Sequence, residues 1–339
     1  MKNILLLFSL IHFFFGYSQK NYIDYQRVIV KAEDGILNEN FTEANRLYDS
    51  VFQSFPKHFS KDLYNAAICA TYSQEYKRAK CYLLELANKG VLSYYFYSRA
   101  FKPLRKQKGW REFKNEYKLT LDKARIRFKN DEEARYIDSL NAIDQKFRMM
   151  KGGYSVYGDT IAKIDSLNEI AIRNYLIKNG YPDGDKFLCE KIGGEYCRNK
   201  IYVIIRHLYQ NRTTNNHYVM NKNEETYLTE ILENELINGN LSPYVFAELE
   251  EKKSNNLKLG NKYGIVVYFR VKGKMYGGKI PQNVNFLNEN RWKIGLESYE
   301  GHIKRINFKR SMLKPFYFEI AEGIVNVSGI SKKDAAKFL

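Results

Sequence analysis

Residues 28–56, VIVKAEDGILNENFTEANRLYDSVFQSFP, and residues 63–91, LYNAAICATYSQEYKRAKCYLLELANKGV, lie over one another at a constant offset of 35. Val28, Ala32, Phe41, Ala44, Tyr48, Val51 and Pro56 of the first fall on Leu63, Ala67, Tyr76, Ala79, Leu83, Leu86 and Val91 of the second. Small residues recur where two helices must touch, and large apolar ones where the space between them must be filled. Each stretch therefore reads as one helical hairpin, and the two as successive units of a stack. Helices are expected over 22–38 and 41–55, stopped by Pro56, and again over 61–73 and 75–89, closed by Gly90. Such hairpins need neighbours to bury their apolar faces. The aromatic-rich stretch 93–128 departs from the repeat spacing and reads as a degenerate third unit that caps the array.

Residues 22–129 resemble the tetratricopeptide family on this pattern. Ala32 and Ala67 stand where that family has Gly, and its Trp-Leu-Gly signature in the first helix is missing. The resemblance implies a curved helical array whose concave face binds an extended peptide or a partner domain. Ala32, Ala44, Ala67 and Ala79 would allow close helix approach, leaving the other first-helix positions to face the groove. Trp110 and Phe113 would close the stack as core residues.

An α-rich region is expected over 130–305, with 306–339 as a C-terminal tail. Its first helix, 131–150, offers the stripe Ile137, Leu140, Ile143, Phe147 and Met150. After Gly152-Gly153, Asp159 or Thr160 caps a helix through Asn179 with Ile161, Ile164, Leu167, Ala171 and Tyr175 on one side. Residues 200–209 are nearly all apolar and read as buried, and further helices follow at 224–238 and 243–255. At Tyr263 the period changes. Residues 264–271 and 274–280 flank Lys272-Gly273 as a β-hairpin, 290–304 return to helix, and 316–320 offer another strand. The expected fold class is thus mainly α: a helical-hairpin repeat array followed by an α-rich α+β domain with a C-terminal β-hairpin.

Asp144-Gln145 with Arg148, Gly180-Tyr181-Pro182, Arg206-His207, Tyr263-Gly264, and Asn290-Arg291 with Ile294-Gly295-Leu296 occur in an order that resembles a bacterial family, the domain of unknown function numbered 6624. Tyr181 stands where family members tend to have Trp, and Arg206 where they have Gln. The resemblance covers about half the chain. It implies a fold and a candidate polar site, and no reaction.

The residues by themselves point to the same place. Asp144 and Arg148 are spaced to share a helix face, and His207 sits among Ile, Val, Leu and Tyr, where a buried ring must find a hydrogen-bond partner. His207, Asp144, Gln145, Arg148, Arg291 and Tyr263 form the candidate polar site. It is either a satisfied core histidine joining two helices or a pocket for a ligand or for acid and base chemistry. Gly-x-Ser-x-Gly, His-Glu-x-x-His, Walker and Rossmann patterns are absent from the sequence, so no cofactor is expected. Cys189, Cys197, His207 and His217 lack the spacing of a known metal site, and no metal is expected.

Residues 1–19 read as a signal peptide: Lys2 is a basic start, Ile4 to Phe15 an apolar run, and Gly16-Tyr17-Ser18 a cleavage site before Gln19. The run is well short of the ~20 residues that span a bilayer, and none of similar length follows, so no transmembrane span is expected. Export by the Sec route, to the periplasm or outside, would place the four cysteines in an oxidising compartment. Cys189 and Cys197 flank Gly193-Gly194 and form a candidate disulfide, while Cys69 and Cys81 lie on opposite sides of the second hairpin's turn. The net charge is +17, and from Glu251 onward 18 Lys and Arg face 7 Asp and Glu. That surplus fits an anionic partner, but Lys, Asn, Ile and Tyr abound along the whole chain, and an exported protein seldom meets nucleic acid. The function expected is an exported interaction or scaffold protein that binds a protein or peptide through its repeat groove. The alternative is an enzyme of unknown reaction at His207.

Overall fold

Two hairpins built on one set of hydrogen bonds open the chain. The computed structural model describes residues 20–129, 132–183, 185–192, 196–210, 222–253, 262–264, 266–271, 274–277, 283–310, 315–320 and 322–326. The expected leader therefore lies outside the described residues. Helices α1 (Tyr22–Leu37) and α2 (Phe41–Ser54) make the first hairpin, and α3 (Ser60–Tyr72) and α4 (Tyr76–Asn88) the second. Asn38 N–H donates to the Asp34 carbonyl and Asn40 N–H to that of Gly35. At the same offset, Ser73 N–H donates to Cys69 and Glu75 N–H to Ala70. Between them Glu39 and Gln74 both take a left-handed conformation, φ 57° and 61°. The period of 35 is thus a period of backbone geometry, and Ala32, Ala44, Ala67 and Ala79 are all buried between the helices.

The third unit is irregular. Two 3₁₀ turns, Ser93–Tyr97 and Arg99–Phe101, lead through a short α5 (Lys102–Arg105) to α6 (Trp110–Phe128), which packs on α4. Phe96, Phe101, Phe113 and Tyr117 are buried there, whereas Trp110 is only partly buried, at the edge of the Phe96 ring. The cap centres on Phe96 and Phe101 more than on Trp110.

A second core is formed by α7 (Glu132–Arg148), α8 (Gly153–Asn179), α9 (Tyr196–Gln210), α10 (Lys222–Ile237) and α11 (Pro243–Lys253) around residues such as Ile172, Ile204, Leu232 and Phe246. The chain is mainly α-helical. The eighth helix begins at Gly153, ahead of the expected cap, and is interrupted at Tyr157 (φ −112°, ψ 20°), next to Gly158. The stripes read from the sequence are rotated. Asp144 is buried on α7 while Ile143 is 50% exposed, and Asp165, Asn168 and Glu169 are buried on α8 while Leu167 is 60% exposed.

Residues 290–304 are two helices, α12 (Val284–Lys293) and α13 (Tyr299–Arg310), rather than one. Gly295 divides them with φ +81°, and a Cβ there would sit 3.0 Å from the Ile23 carbonyl oxygen on α1. Three short strands, β1 (Val266–Val271), β2 (Lys274–Gly277) and β3 (Glu322–Asn326), run in the order β2-β1-β3. Phe269 faces Tyr276 in the antiparallel pair, and Tyr268 faces Ile324 in the parallel one. A parallel pair demands a crossover, which α12, α13 and residues 315–320 supply. Residues 316–320, read as a strand, belong to none of the three.

The first helix joins the two halves. Arg305 of α13 donates through Nε to Glu33 at 2.8 Å, and through a terminal nitrogen to the Val30 carbonyl and to Asp34, both at 3.0 Å. Lys61 and Asp62 of α3 continue this buried network, with Tyr25 donating to Asp62 at 2.9 Å. Burial pushes the Glu33 and Asp62 carboxyls up, against the pull of Lys61 and Arg305. At the start of α1, the Tyr22 ring lies so close to Gly239 that a Cβ there would meet it at 2.4 Å. Among the described residues, no helix is long and apolar enough to cross a membrane.

Candidate functional site

The repeat face that was expected to form an open groove is covered by the chain itself. Helix α3 is buried on every side from Ser60 to Thr71, polar residues included. A buried Asn needs partners for its carbonyl and its amide hydrogens. Asn65 finds one of each kind on the backbone of Tyr317: Nδ2 donates to its carbonyl at 2.8 Å, and Oδ1 accepts its N–H at 2.9 Å. Phe316 and Phe318 are buried with Tyr317 half-exposed between them, the two-residue alternation of an extended chain. The Phe316 ring stacks on Phe41 at 5.7 Å and meets the edge of Tyr72 at 6.1 Å. Phe318 packs on Phe308 at 5.2 Å. Glu319 accepts from Ser242 at 2.9 Å. Residues 315–320, expected as part of a tail, thus lie along the first-helix face of the second hairpin.

A second arrangement gathers the polar residues singled out in the sequence. The Asp144 carboxylate accepts from His207 Nδ1 at 2.9 Å, Gln145 Nε2 at 2.6 Å, Arg148 at 3.0 Å and Asn168 at 3.4 Å. Arg148 also donates to the Asp144 carbonyl, pairs with Asp165 and reaches the Tyr154 hydroxyl at 3.0 Å. Burial would lower the Arg148 pKa, but Asp144 and Asp165 outweigh it and raise it. One turn further along α8, Glu169 pairs with Arg173 at 2.9 Å. With Nδ1 committed to Asp144, Nε2 is the nitrogen left for an outside partner, and the His207 side chain is 12% exposed. This oriented imidazole could exchange a proton or hydrogen-bond a ligand. Sequence reading found Asp144, Gln145, Arg148 and His207. It missed Asp165, Asn168 and Glu169, whose signal was the i, i+3, i+4 spacing of three polar residues beside Ile161 and Ile172.

Arg291 and Tyr263 belong to another network. Fully buried Arg291 donates to the Tyr263 carbonyl at 2.8 Å and to the Glu297 carbonyl and carboxylate at 2.6 and 2.9 Å. Tyr244 and His302 converge on the same carboxylate at 2.5 and 2.7 Å. Although burial opposes it, Arg291 and His302 hold Glu297 well below the usual carboxylate range. Glu251 accepts the N–H groups of Tyr263 and Gly264, and burial pushes its carboxyl up to about 7. This constellation fixes the turn into the sheet and the α12–α13 corner.

Cys69 is a buried thiol and Cys81 an exposed one. Cys189 is buried, its Sγ donating to the Lys191 carbonyl at 3.2 Å and lying 3.6 Å from Ser60 Oγ. The side chains of Cys197 and His217 lie outside the described residues, and so does the candidate Cys189–Cys197 bridge. Comparison with protein-family models, curated proteins and solved structures gives no match.

Proposed function

We propose that this chain is an exported protein-interaction protein, periplasmic or secreted, whose helical-repeat face binds extended polypeptide. The observation that carries this reading is the two-point pairing of Asn65 with the backbone of Tyr317. An amide side chain presents the same donor and acceptor as a peptide unit, so it reads backbone rather than sequence. The copied turn at the offset of 35 and the tetratricopeptide-like pattern support it. An immobilised peptide array probed with the native chain tests it. Retention of some peptides by the native chain, and loss of that retention in a folded Asn65→Ala variant, is the expected result. No retained peptide, or retention unchanged in the variant, overturns it.

A second reading, an acid–base or ligand-binding site of unknown reaction at His207 in a region like domain of unknown function 6624, is favoured by one specific observation. On α7 and α8 carboxylates occupy interior positions while Ile143 and Leu167 are turned outward. Burying charge in place of an aliphatic costs stability, and such costs concentrate where a site is needed.

A further inference from the structure

The segment 315–320 occupies the first-helix face of the second hairpin through specific contacts. Three features of it are read by the rest of the chain. Phe316 packs against the touching rings of Phe41 and Tyr72, the backbone of the next residue is gripped by Asn65, and Phe318 is buried against Phe308. Glu319 follows, bonded to Ser242 and close enough to Lys61 for its charge to be felt there. Only the central backbone contact is blind to side chains. The rings on either side and the acid after them carry selectivity, because each needs a place of its own shape or charge.

Resting on the peptide-binding reading above, we propose that the external partner is an extended peptide with two aromatics at alternate positions followed directly by an acid, and that residues 315–320 are its in-chain competitor. A ligand tethered in the same chain acts at a high effective concentration. The face is then open only in the fraction of molecules that have released the segment, and the apparent affinity for an outside peptide falls by that fraction. Weakening the segment without touching the face must therefore strengthen binding in trans.

The test uses a fluorescein-labelled synthetic peptide of residues 314–321, KPFYFEIA, titrated by anisotropy with the full chain. Phe316→Ala should bind it at least roughly tenfold more tightly than the native chain, and adding Asn65→Ala should abolish the gain. Equal affinity of the native chain and a folded Phe316→Ala variant overturns the competitor role. Equal binding of a scrambled peptide overturns the aromatic pattern. Both outcomes leave standing a face that reads backbone, which the array and Asn65→Ala address separately. If Phe316→Ala does not fold, the native chain decides: excess KPFYFEIA should accelerate hydrogen exchange of the Tyr317 amide, and unchanged exchange overturns the proposal.

Discussion

Asn65 and Tyr317, separated by 252 residues, form a closed pair in which one side chain satisfies both backbone groups of the other residue. That pair ties the last described loop to the second repeat hairpin, and Asn65 is fully buried in doing so.

Asn65→Ala removes the partner of a part-buried N–H and a part-buried carbonyl. A fully buried unsatisfied polar group costs about 1–3 kcal/mol, so urea unfolding should show a loss toward the lower end of that range. The apparent melting temperature should fall with it. Asn65→Asp, which keeps the acceptor and loses the donor, should also destabilise the chain.

Arg305 is the charged link between α13 and α1, buried against Glu33 and the Val30 carbonyl. Removing one partner of a buried pair typically costs about 3–5 kcal/mol, because the other charge is left uncompensated. Arg305→Met should therefore lower the melting temperature strongly, while Arg27→Met, at a half-exposed pair with Asp24, should change it little.

The cluster around Asp144 makes an opposite prediction for whole replacement. Asp144→Ala alone should destabilise by a few kcal/mol, since Arg148 loses a buried counter-charge. Replacing Asp144, Arg148 and Asp165 together by Leu, Met and Leu should be neutral or stabilising, by about 1–4 kcal/mol, if the cluster is kept for a function rather than for the fold. A triple variant as damaged as Asp144→Ala in thermal melts would assign the cluster to the scaffold.

Glu251 and Glu297 act on the pH dependence in opposite directions. Glu251 is raised to about 7 in the fold, so its contribution is fully present below the ordinary Glu value and is lost as pH rises through 7. Glu297 is lowered, so its contribution is present above the ordinary value and is lost as pH falls through its depressed one. Stability should decline as pH rises from about 4.5 to about 7, and Glu251→Gln, which keeps the acceptor and removes the titration, should flatten that decline in denaturant midpoints measured across the range.

The repeat was legible because its determinants are local: Ala32 and Ala44 are buried in the first hairpin, Ala67 and Ala79 in the second, and the turn within each closes over a few residues. Asp144, Arg148 and His207 were legible as polar residues in apolar company. The rotation of the stripes was not, because Ile143 and Leu167 satisfy a helical period as well as Asp144 and Asn168 do, and only packing against α9 decides which face turns inward. The corner at Gly295 was hidden by Arg291, whose bonds to Tyr263 and Glu297 require the chain to fold back there. The role of residues 315–320 was hidden by distance along the chain, since nothing near Phe316 or Phe318 names Phe41, Asn65 or Phe308 as their neighbours.

Hydrogen exchange at the Tyr317 amide tests most directly whether the repeat face grips backbone. In the native chain that amide should be protected, and in a folded Asn65→Ala variant it should exchange much faster while amides in α1 keep their protection. A Tyr317 amide that exchanges at the rate of an open chain in the native protein, or one whose protection survives the loss of Asn65, would contradict the account.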